Sequence, residues 1–531
     1  MKLSATQLVE NMKLDIHSLN AMAPEPTESI DLLVIGGGEA GATAALEAVR
    51  AGLKVVLVDE NPLDPGLIGL DVPLAFGQRA TAEVQNRARL VEQVLERSPL
   101  LAQAFEEEVD VRLSTTAWGM FTPAAETRAI DAILVGLEDG ERAWVARCAH
   151  VIVATGCRDV MLGFDGCDQP GVMGGSALHS LLQKYDTASS RRILFLGSGE
   201  FARNLASAAL EKGIDVAGIV EPGVASLGAS ALPEGIEVFT NTVLKEAAQG
   251  PDGVECATLV SLDAARHVVP GSEREIACDT VCVAIGQTPS VELLAAADAE
   301  TRFDERLGVW VPRLWGTMTS IPRVQAIGAC AGQDHFHEAA KAAARLAVSG
   351  EDIAAGAAHF EADFASAPRD ELRKWMDALI EVGGLDVLVC RCESVTRAEI
   401  LDVSPPAYLG ARTAPTLARN LDSLLADGPP NPDQVKRLTR SGMGECQGRR
   451  CREQTACLLA KSARVSIGSV PMATYRAPVR PLPLSVISAS QETAAMAAGW
   501  DSWFGIPTQF LPYWEEDQAE GQQRSGTGWH L

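Results

Sequence analysis

The sequence predicts an α/β fold built on two βαβ units and followed by a cysteine-bearing region, and three observations predict it. Residues 30–35, apolar apart from Asp31, run into Gly36-Gly37-Gly38-Glu39-Ala40-Gly41 and then an Ala-rich stretch closing at Gly52. The same arrangement returns at residues 193–196 with Gly197-Ser198-Gly199-Glu200-Phe201-Ala202. Near the carboxyl end stand two tight cysteine pairs, Cys390-Arg391-Cys392 and Cys446-Gln447-Gly448-Arg449-Arg450-Cys451.

In the first unit, the apolar run suits a parallel strand buried on both faces. Gly36 permits a tight turn, Gly38 lets the backbone approach a pyrophosphate, and Gly41 lets the following helix pack closely on the strand. The helix amino terminus would supply N–H donors and a favourable dipole for phosphate. The next strand, Val55-Val56-Leu57-Val58, ends in Asp59-Glu60. Asp59 falls where a carboxylate binds ribose hydroxyls, with Glu60 the alternative. Strand, glycines, helix and acidic end together predict an adenine dinucleotide site.

The second unit keeps Gly197 and Gly199, replaces the third glycine with Ala202, and ends its second strand at Glu221. Glu221 suits an unphosphorylated ribose, hence NAD over NADP. Two readings stay open here, a nucleotide site or a purely structural unit. Between the units, Val151-Ile152-Val153-Ala154-Thr155-Gly156 is a strand meeting a small-residue turn, which adds Thr155 and Gly156 to the candidate cofactor contacts. Thr280-Val281-Cys282-Val283-Ala284-Ile285-Gly286 follows the second unit. A late segment, Val324-Gln325-Ala326-Ile327-Gly328-Ala329-Cys330-Ala331-Gly332, adds Gly328 and leads into another Ala-rich helix.

The four thiols Cys390, Cys392, Cys446 and Cys451 suit a metal–sulfur centre. A [2Fe-2S] cluster held by four thiolates is anionic, and the Arg and Lys residues around these pairs would offset its charge. Zinc is the rival, although its paired cysteines usually stand two to four residues apart and the Cys390/Cys392 pair is tighter. A site without metal is the third reading. Cys457 lies on an apolar stretch and is expected in the core. Cys148, Cys157, Cys167, Cys256, Cys278, Cys282 and Cys330 are scattered and expected to be buried free thiols.

At 531 residues the chain has room for two or three domains. A formal charge of −25 argues against nucleic acid or an anionic membrane surface as partners, since both need a basic face. No uninterrupted apolar stretch reaches the length of a membrane span, and residues 1–29 lack an apolar core flanked by basic residues. With twelve cysteines in no disulfide-like framework, a reducing, cytoplasmic setting is expected.

Residues 351–385 read as a charged helical connector. The stretch between Cys392 and Cys446 holds Pro405-Pro406 and Gly428-Pro429-Pro430-Asn431-Pro432, and it reads as a surface loop rather than more core. Four of the nine tryptophans fall in the last 32 residues, among them Trp500, Trp503 and Trp514. That tail cannot build its own core and would lie on this chain or on a partner. His335 and His337 flank Phe336 beside the late motif, where polar surface competes with a flavin contact; His179 and Lys341 carry no assignment.

The order of these pieces over residues 30–350 resembles that of flavoproteins with two dinucleotide-binding domains. The resemblance implies two Rossmann-like domains, the second inserted in the first, and the cysteine pairs that follow would add a small helical [2Fe-2S] domain. Its divisions would be an arm (1–29), an FAD-type domain (30–165 and 285–350), an inserted NAD-type domain (166–284), a connector (351–385), a [2Fe-2S]-binding domain (386–465) and a Pro/Trp-rich tail (466–531). Two features depart from that pattern. No redox-active cysteine pair stands in either usual place, since Cys157 and Cys167 are ten residues apart and lie outside both. Where such proteins carry Asp after the late glycine, this chain has Gly328-Ala329. That change weakens FAD binding or signals NAD or ATP in the first pocket.

Cys390-Arg391-Cys392-Glu393 and Thr439-Arg440-Ser441-Gly442-Met443-Gly444-Glu445-Cys446-Gln447-Gly448 narrow the resemblance further. With them the chain is similar to the alpha (large) subunits of heteromeric amine and amino-acid dehydrogenases and oxidases. That group includes opine oxidases, hydrogen cyanide synthase, archaeal proline dehydrogenase and sarcosine oxidase. The resemblance implies FAD, a [2Fe-2S] cluster, an FMN at a subunit interface, a glycine-oxidase-like FAD subunit that oxidises the substrate, and room for a small third subunit. This chain would then relay electrons within a hetero-oligomer. Two other readings remain: a self-contained NADH-dependent flavoprotein reductase feeding a [2Fe-2S] centre, and a scaffold subunit stabilised by nucleotide. The substrate is not written in this chain.

Overall fold

The computed structural model describes residues 26–61, 87–123, 130–224, 235–305, 307–333, 336–350, 369–410, 413–414 and 418–488. His335, the aromatic tail from Trp500 onward and residues 351–368 of the expected connector lie outside them.

The first sheet has seven strands. Its parallel part is β1 (Glu28–Ile35), β2 (Val55–Asp59), β3 (Asp110–Leu113) and β6 (Ala143–Val153). Leu32, Leu33 and Val34 on β1 are fully buried, as a strand covered on both faces requires. β6 then turns the sheet antiparallel by pairing with β5 (Ile133–Glu138), which pairs with β4 (Thr116–Phe121). The seventh strand is β19 (Val324–Ala326), far along the chain but parallel to β6.

Between them the chain leaves through β7 (Cys157–Asp159) and builds a second sheet. It contains β8 (Val172–Gly174), β9 (Arg192–Leu196), β10 (Asp215–Glu221), β11 (Val238–Thr240) and β15 (Thr280–Val283), in the order β11-β10-β9-β15-β8 and all parallel. An antiparallel ribbon of β12 (Thr242–Gly250), β13 (Gly253–Ser261) and β14 (Arg274–Ala277) lies beside it. The chain returns through β16 (Gln287–Pro289), which pairs antiparallel with β7. An antiparallel pair, β17 (Thr301–Asp304) and β18 (Val309–Pro312), then precedes β19. The two crossings at β7 and β16 thus form one two-stranded hinge, and the second unit is inserted in the first.

The cysteine region is joined to the second sheet by a common core. Trp375 and Leu379 of the helix Arg369–Gly383 pack with Val172, Val243 and Val281 and with Cys390, Cys451 and Leu458. Arg397 is fully buried and donates to the carbonyls of Leu379 (3.0 Å), Gly384 (2.8 Å) and Gly163 (2.7 Å). Burial pushes its guanidinium down to about 10. Its three acceptors staple the connector helix, the cysteine region and the peptide just after the hinge.

The proline-rich stretch before Cys446 is not the surface loop its composition suggests. Asn420 caps a helix at Leu421–Asp427, and Asn431 caps Pro432–Thr439 with Pro432 in the first turn. Pro at that position costs no hydrogen bond, because the first helical N–H groups have no partner in the helix. Leu421 and Val435 are buried in the common core. The prolines delimit helices here rather than exclude them.

Candidate functional site: a dinucleotide cradle and a thiol cavity

Three separated segments meet at the carboxyl end of the first sheet. A Cβ at Gly36 would lie 2.2 Å from the Ala154 carbonyl oxygen, and one at Gly41 would lie 1.9 Å from the Gly36 oxygen. One at Gly328 would lie 2.9 Å from Cβ of Ala40. A Cβ at Gly38 would meet nothing within 4 Å. Gly36 and Gly41 are therefore required by packing, whereas Gly38 borders open space at the start of the helix Glu39–Arg50. That contrast fits a cradle for a pyrophosphate.

Asp59 lies against this turn. Gly37 N donates to Asp59 Oδ2 (2.5 Å), and Asn61 donates to Oδ1 through N (2.8 Å) and Nδ2 (2.9 Å). Glu60 instead receives Nε of Arg480 (2.9 Å), and Arg480, Arg449 and Lys184 hold its carboxyl below its ordinary range against the opposing effect of burial. Thr155 Oγ1 donates to the Ser290 carbonyl (2.8 Å), and Ser290 N donates to the Gly156 carbonyl (3.0 Å), so this turn is tied to the returning chain. Ala329 packs with Cys157 against Leu307, Val309 and Val311, an apolar neighbourhood. His337 is exposed and stacks at a tilt on Phe336.

The second unit repeats the geometry. A Cβ at Gly197 would lie 2.6 Å from the Ala284 carbonyl oxygen, whereas Gly199 borders open space. Ser198 donates to Glu221 Oε2 through N (3.1 Å) and Oγ (2.8 Å), as Gly37 does to Asp59.

Cys390, Cys392, Cys446 and Cys451 line one cavity, together with Arg391, Arg450 and a fifth thiol, Cys167. Cys390 ends the strand Leu388–Cys390, and Cys451 precedes the helix Arg452–Ala463. The thiols pair across the two segments, Cys390 with Cys451 and Cys392 with Cys446. Sharing with Cys392 is the largest influence holding Cys446 below the ordinary thiol range, and sharing with Cys451 does the same for Cys390. Their partners Cys392 and Cys451 are correspondingly pushed up. The amides of Gly442 and Glu393 donate toward Cys390, and that of Arg450 toward Cys446. A Cβ at Gly444 would lie 2.4 Å from Cβ of Cys392, so only glycine lets this loop close over the pair.

Among the described residues, no three His, Cys, Asp or Glu side chains converge as a single-ion site. Four thiols in two pairs around one cavity, with amide donors and guanidinium counter-charge, fit an anionic two-iron cluster. Burial pushes Arg450 down to about 10, with repulsion from Arg391 adding to it, while Cys446, Cys392 and Asp159 act in the opposite direction. Cys457 is buried in the shared core, where burial pushes its thiol up to about 12.

An ionic network joins the cavity to the hinge. Arg158 on β7 donates to Glu292 (3.0 Å) and to Glu453 (3.4 Å), and Arg452 donates to Glu453 (2.6 Å), Tyr475 Oη (3.0 Å) and Thr288 Oγ1 (3.2 Å). Burial would raise Glu292, but Arg158, Arg452, Arg480 and Arg449 outweigh it and hold the carboxyl at about 2. Asp159, next on β7, accepts from Ser176 N (2.9 Å) and Oγ (2.8 Å), and burial still pushes it up to about 6. After the cysteine region the chain returns to the first sheet, where Val479 N donates to the Trp118 carbonyl (2.8 Å). Sequence reasoning missed Cys167, Arg158, Asp159, Glu292 and Arg480, since no local pattern connects residues this far apart. Only Arg452 and Glu453, an adjacent pair of opposite charges opening the helix directly after Cys451, left a signal.

The comparisons bear on the fold and the family. The chain is 26% identical over 508 residues to an opine oxidase subunit of Agrobacterium tumefaciens (strain Ach5), covering 89% of this chain and 94% of that one. It is 24% identical over 504 residues to hydrogen cyanide synthase subunit HcnB of Pseudomonas aeruginosa, covering 85% and 97%. The structure resembles that of L-proline dehydrogenase from P. horikoshii with a TM-score of 0.57 at 21% identity, covering 87% of this chain and 80% of that one, a likeness of fold. Residues 417–491 match the sarcosine oxidase A3 domain. Residues 30–345, more than half of the sequence, match the model for pyridine nucleotide-disulphide oxidoreductases, and the chain belongs to that family.

Proposed function

We propose that this oxidoreductase chain is the electron-transferring subunit of a heteromeric dehydrogenase or oxidase acting on the C–N bond of an amino acid, imino acid or related amine. An adenine dinucleotide, FAD first, would be held at Gly36, Gly38, Gly41, Asp59, Thr155, Gly156 and Gly328, and a [2Fe-2S] cluster at Cys390, Cys392, Cys446 and Cys451. When bound, the flavin exchanges one or two electrons and the cluster one. The residues of this chain orient the dinucleotide, balance the buried charge and shield Cys390, Cys446 and Cys451 from water. The domain divisions and the glycine-oxidase-like partner implied by the sequence belong to the same proposal. The opine oxidase and hydrogen cyanide synthase relatives are both named as subunits, which supports it.

One observation carries the reading: two cysteine pairs from distant segments surround one cavity and are tied through Arg158 to the hinge of the dinucleotide fold. Iron and sulfide analysis, with electron paramagnetic resonance after dithionite reduction, tests it. Two irons and two sulfides per chain, abolished by Cys390→Ser or Cys451→Ser and retained in Cys457→Ser, are expected. Stoichiometric zinc without sulfide overturns the reading. Open space at Gly199 and the carboxylate of Glu221 favour a second reading, an NADH-dependent reductase with NAD on the inserted unit.

A further inference from the structure

The four thiols differ in exposure. Cys390 and Cys451 are each 1% exposed and Cys446 is 7%, whereas Cys392 is only half-buried. Glu393 follows Cys392, and its side chain is 10% exposed beneath the Gly442–Cys446 loop; a Cβ at Gly444 would lie 3.4 Å from Glu393 Oε1. Glu393 Oε2 accepts from Tyr408 Oη (2.7 Å) and Arg440 Nε (2.7 Å), and Oε1 accepts from Arg440 Nη2 (3.4 Å). Tyr408 is 59% exposed, and the Arg440 side chain is 40% exposed.

We infer that Glu393, Arg440 and Tyr408 form a charge triad that sets the reduction potential of the cluster at its Cys392 edge, an inference that rests on the cluster reading above. A carboxylate beside an anionic centre opposes the added electron and lowers the potential, and a guanidinium does the reverse. The two do not cancel. Glu393 is shielded from water beside Cys392, while Arg440 lies outside it and is screened by solvent, so the carboxylate dominates at the thiol. Tyr408 spreads part of that negative charge by donating to it. A merely structural triad would hold the 440–446 loop in place and leave the potential alone.

The test is a dye-mediated redox titration of the full-length, cluster-loaded protein, in which each cluster takes up one electron from the mediator and electron paramagnetic resonance follows its reduction. Glu393→Gln is expected to move the midpoint to more positive potential and Arg440→Gln to more negative potential. The double variant should fall between the two. Tyr408→Phe, at an exposed position, should give a smaller negative shift. Shifts of the same sign in Glu393→Gln and Arg440→Gln, or none in either, overturn the inference. Should both fail to fold, Tyr408→Phe decides it: an unmoved midpoint rejects the triad. A wild-type chain without iron and sulfide removes the cluster reading itself before any variant is compared.

Discussion

Gly38 and Gly41 show how two glycines three residues apart can serve different ends. Gly38 has φ −68° and ψ 176°, a conformation open to any residue, and borders empty space. Gly41 faces the Gly36 carbonyl at a distance no Cβ tolerates. Gly38→Val is therefore expected to leave unfolding stability within about 0.5 kcal/mol, the range for sites without a packing role, while its side chain fills the pyrophosphate space and the purified protein loses its nucleotide. Gly41→Val should instead impair folding. Full nucleotide content in Gly38→Val, measured by extraction and chromatography, would show that the cradle lies elsewhere.

At the scale of elements, the hinge strands β7 and β16 are held to the cysteine region by charge. Glu292 is 2% exposed, and its loss leaves Arg158 with Glu453 alone. Glu292→Gln should cost on the order of 3 kcal/mol, since removing one partner of a buried ion pair leaves Arg158 under-compensated by a Glu453 it shares with Arg452. The pH dependence follows from the depressed carboxyl, about 2 against an ordinary 4.5. Its contribution is fully present above pH 4.5 and is lost as the pH falls toward 2. Denaturant unfolding of the two proteins should accordingly show a constant gap near neutrality that narrows through that acid window. A gap independent of pH would mean that the carboxylate's charge is not what Arg158 needs.

Over the described residues, the fold sets a glycine turn at the end of each βαβ unit's first strand and gathers five thiols around a cavity beside them. No helix among the described residues is long and apolar enough to cross a membrane. The chain alone is expected to reduce no dye with proline, hydroxyproline, sarcosine or opines. Co-purification from the source organism should recover a second flavoprotein subunit. Turnover of any of these substrates by the isolated chain would refute the division of labour. Prompt anaerobic bleaching of flavin by NADH would favour the reductase reading, because only that reading needs the inserted unit to deliver hydride.

The sequence by itself determined both βαβ units and the identity of the four thiols. Each of these is local: the glycines, the strand and the terminal carboxylate lie within about 30 residues, the reach of one βαβ unit, and each cysteine pair is shorter still. Pairing of β19 with β6 joins residues 324–326 to 151–153, a non-local choice settled by which apolar faces can be buried together. The helices at Leu421–Asp427 and Pro432–Thr439 were hidden because proline punctuation marks loops and helix starts alike, and only burial of Leu421 and Val435 distinguishes them. Arg158, Glu292 and Glu453 are separated by 134 and 295 residues from the first to each of the others, so no spacing announces their contact. A buried charge must find an opposite charge wherever the fold places one, and that search is made in three dimensions.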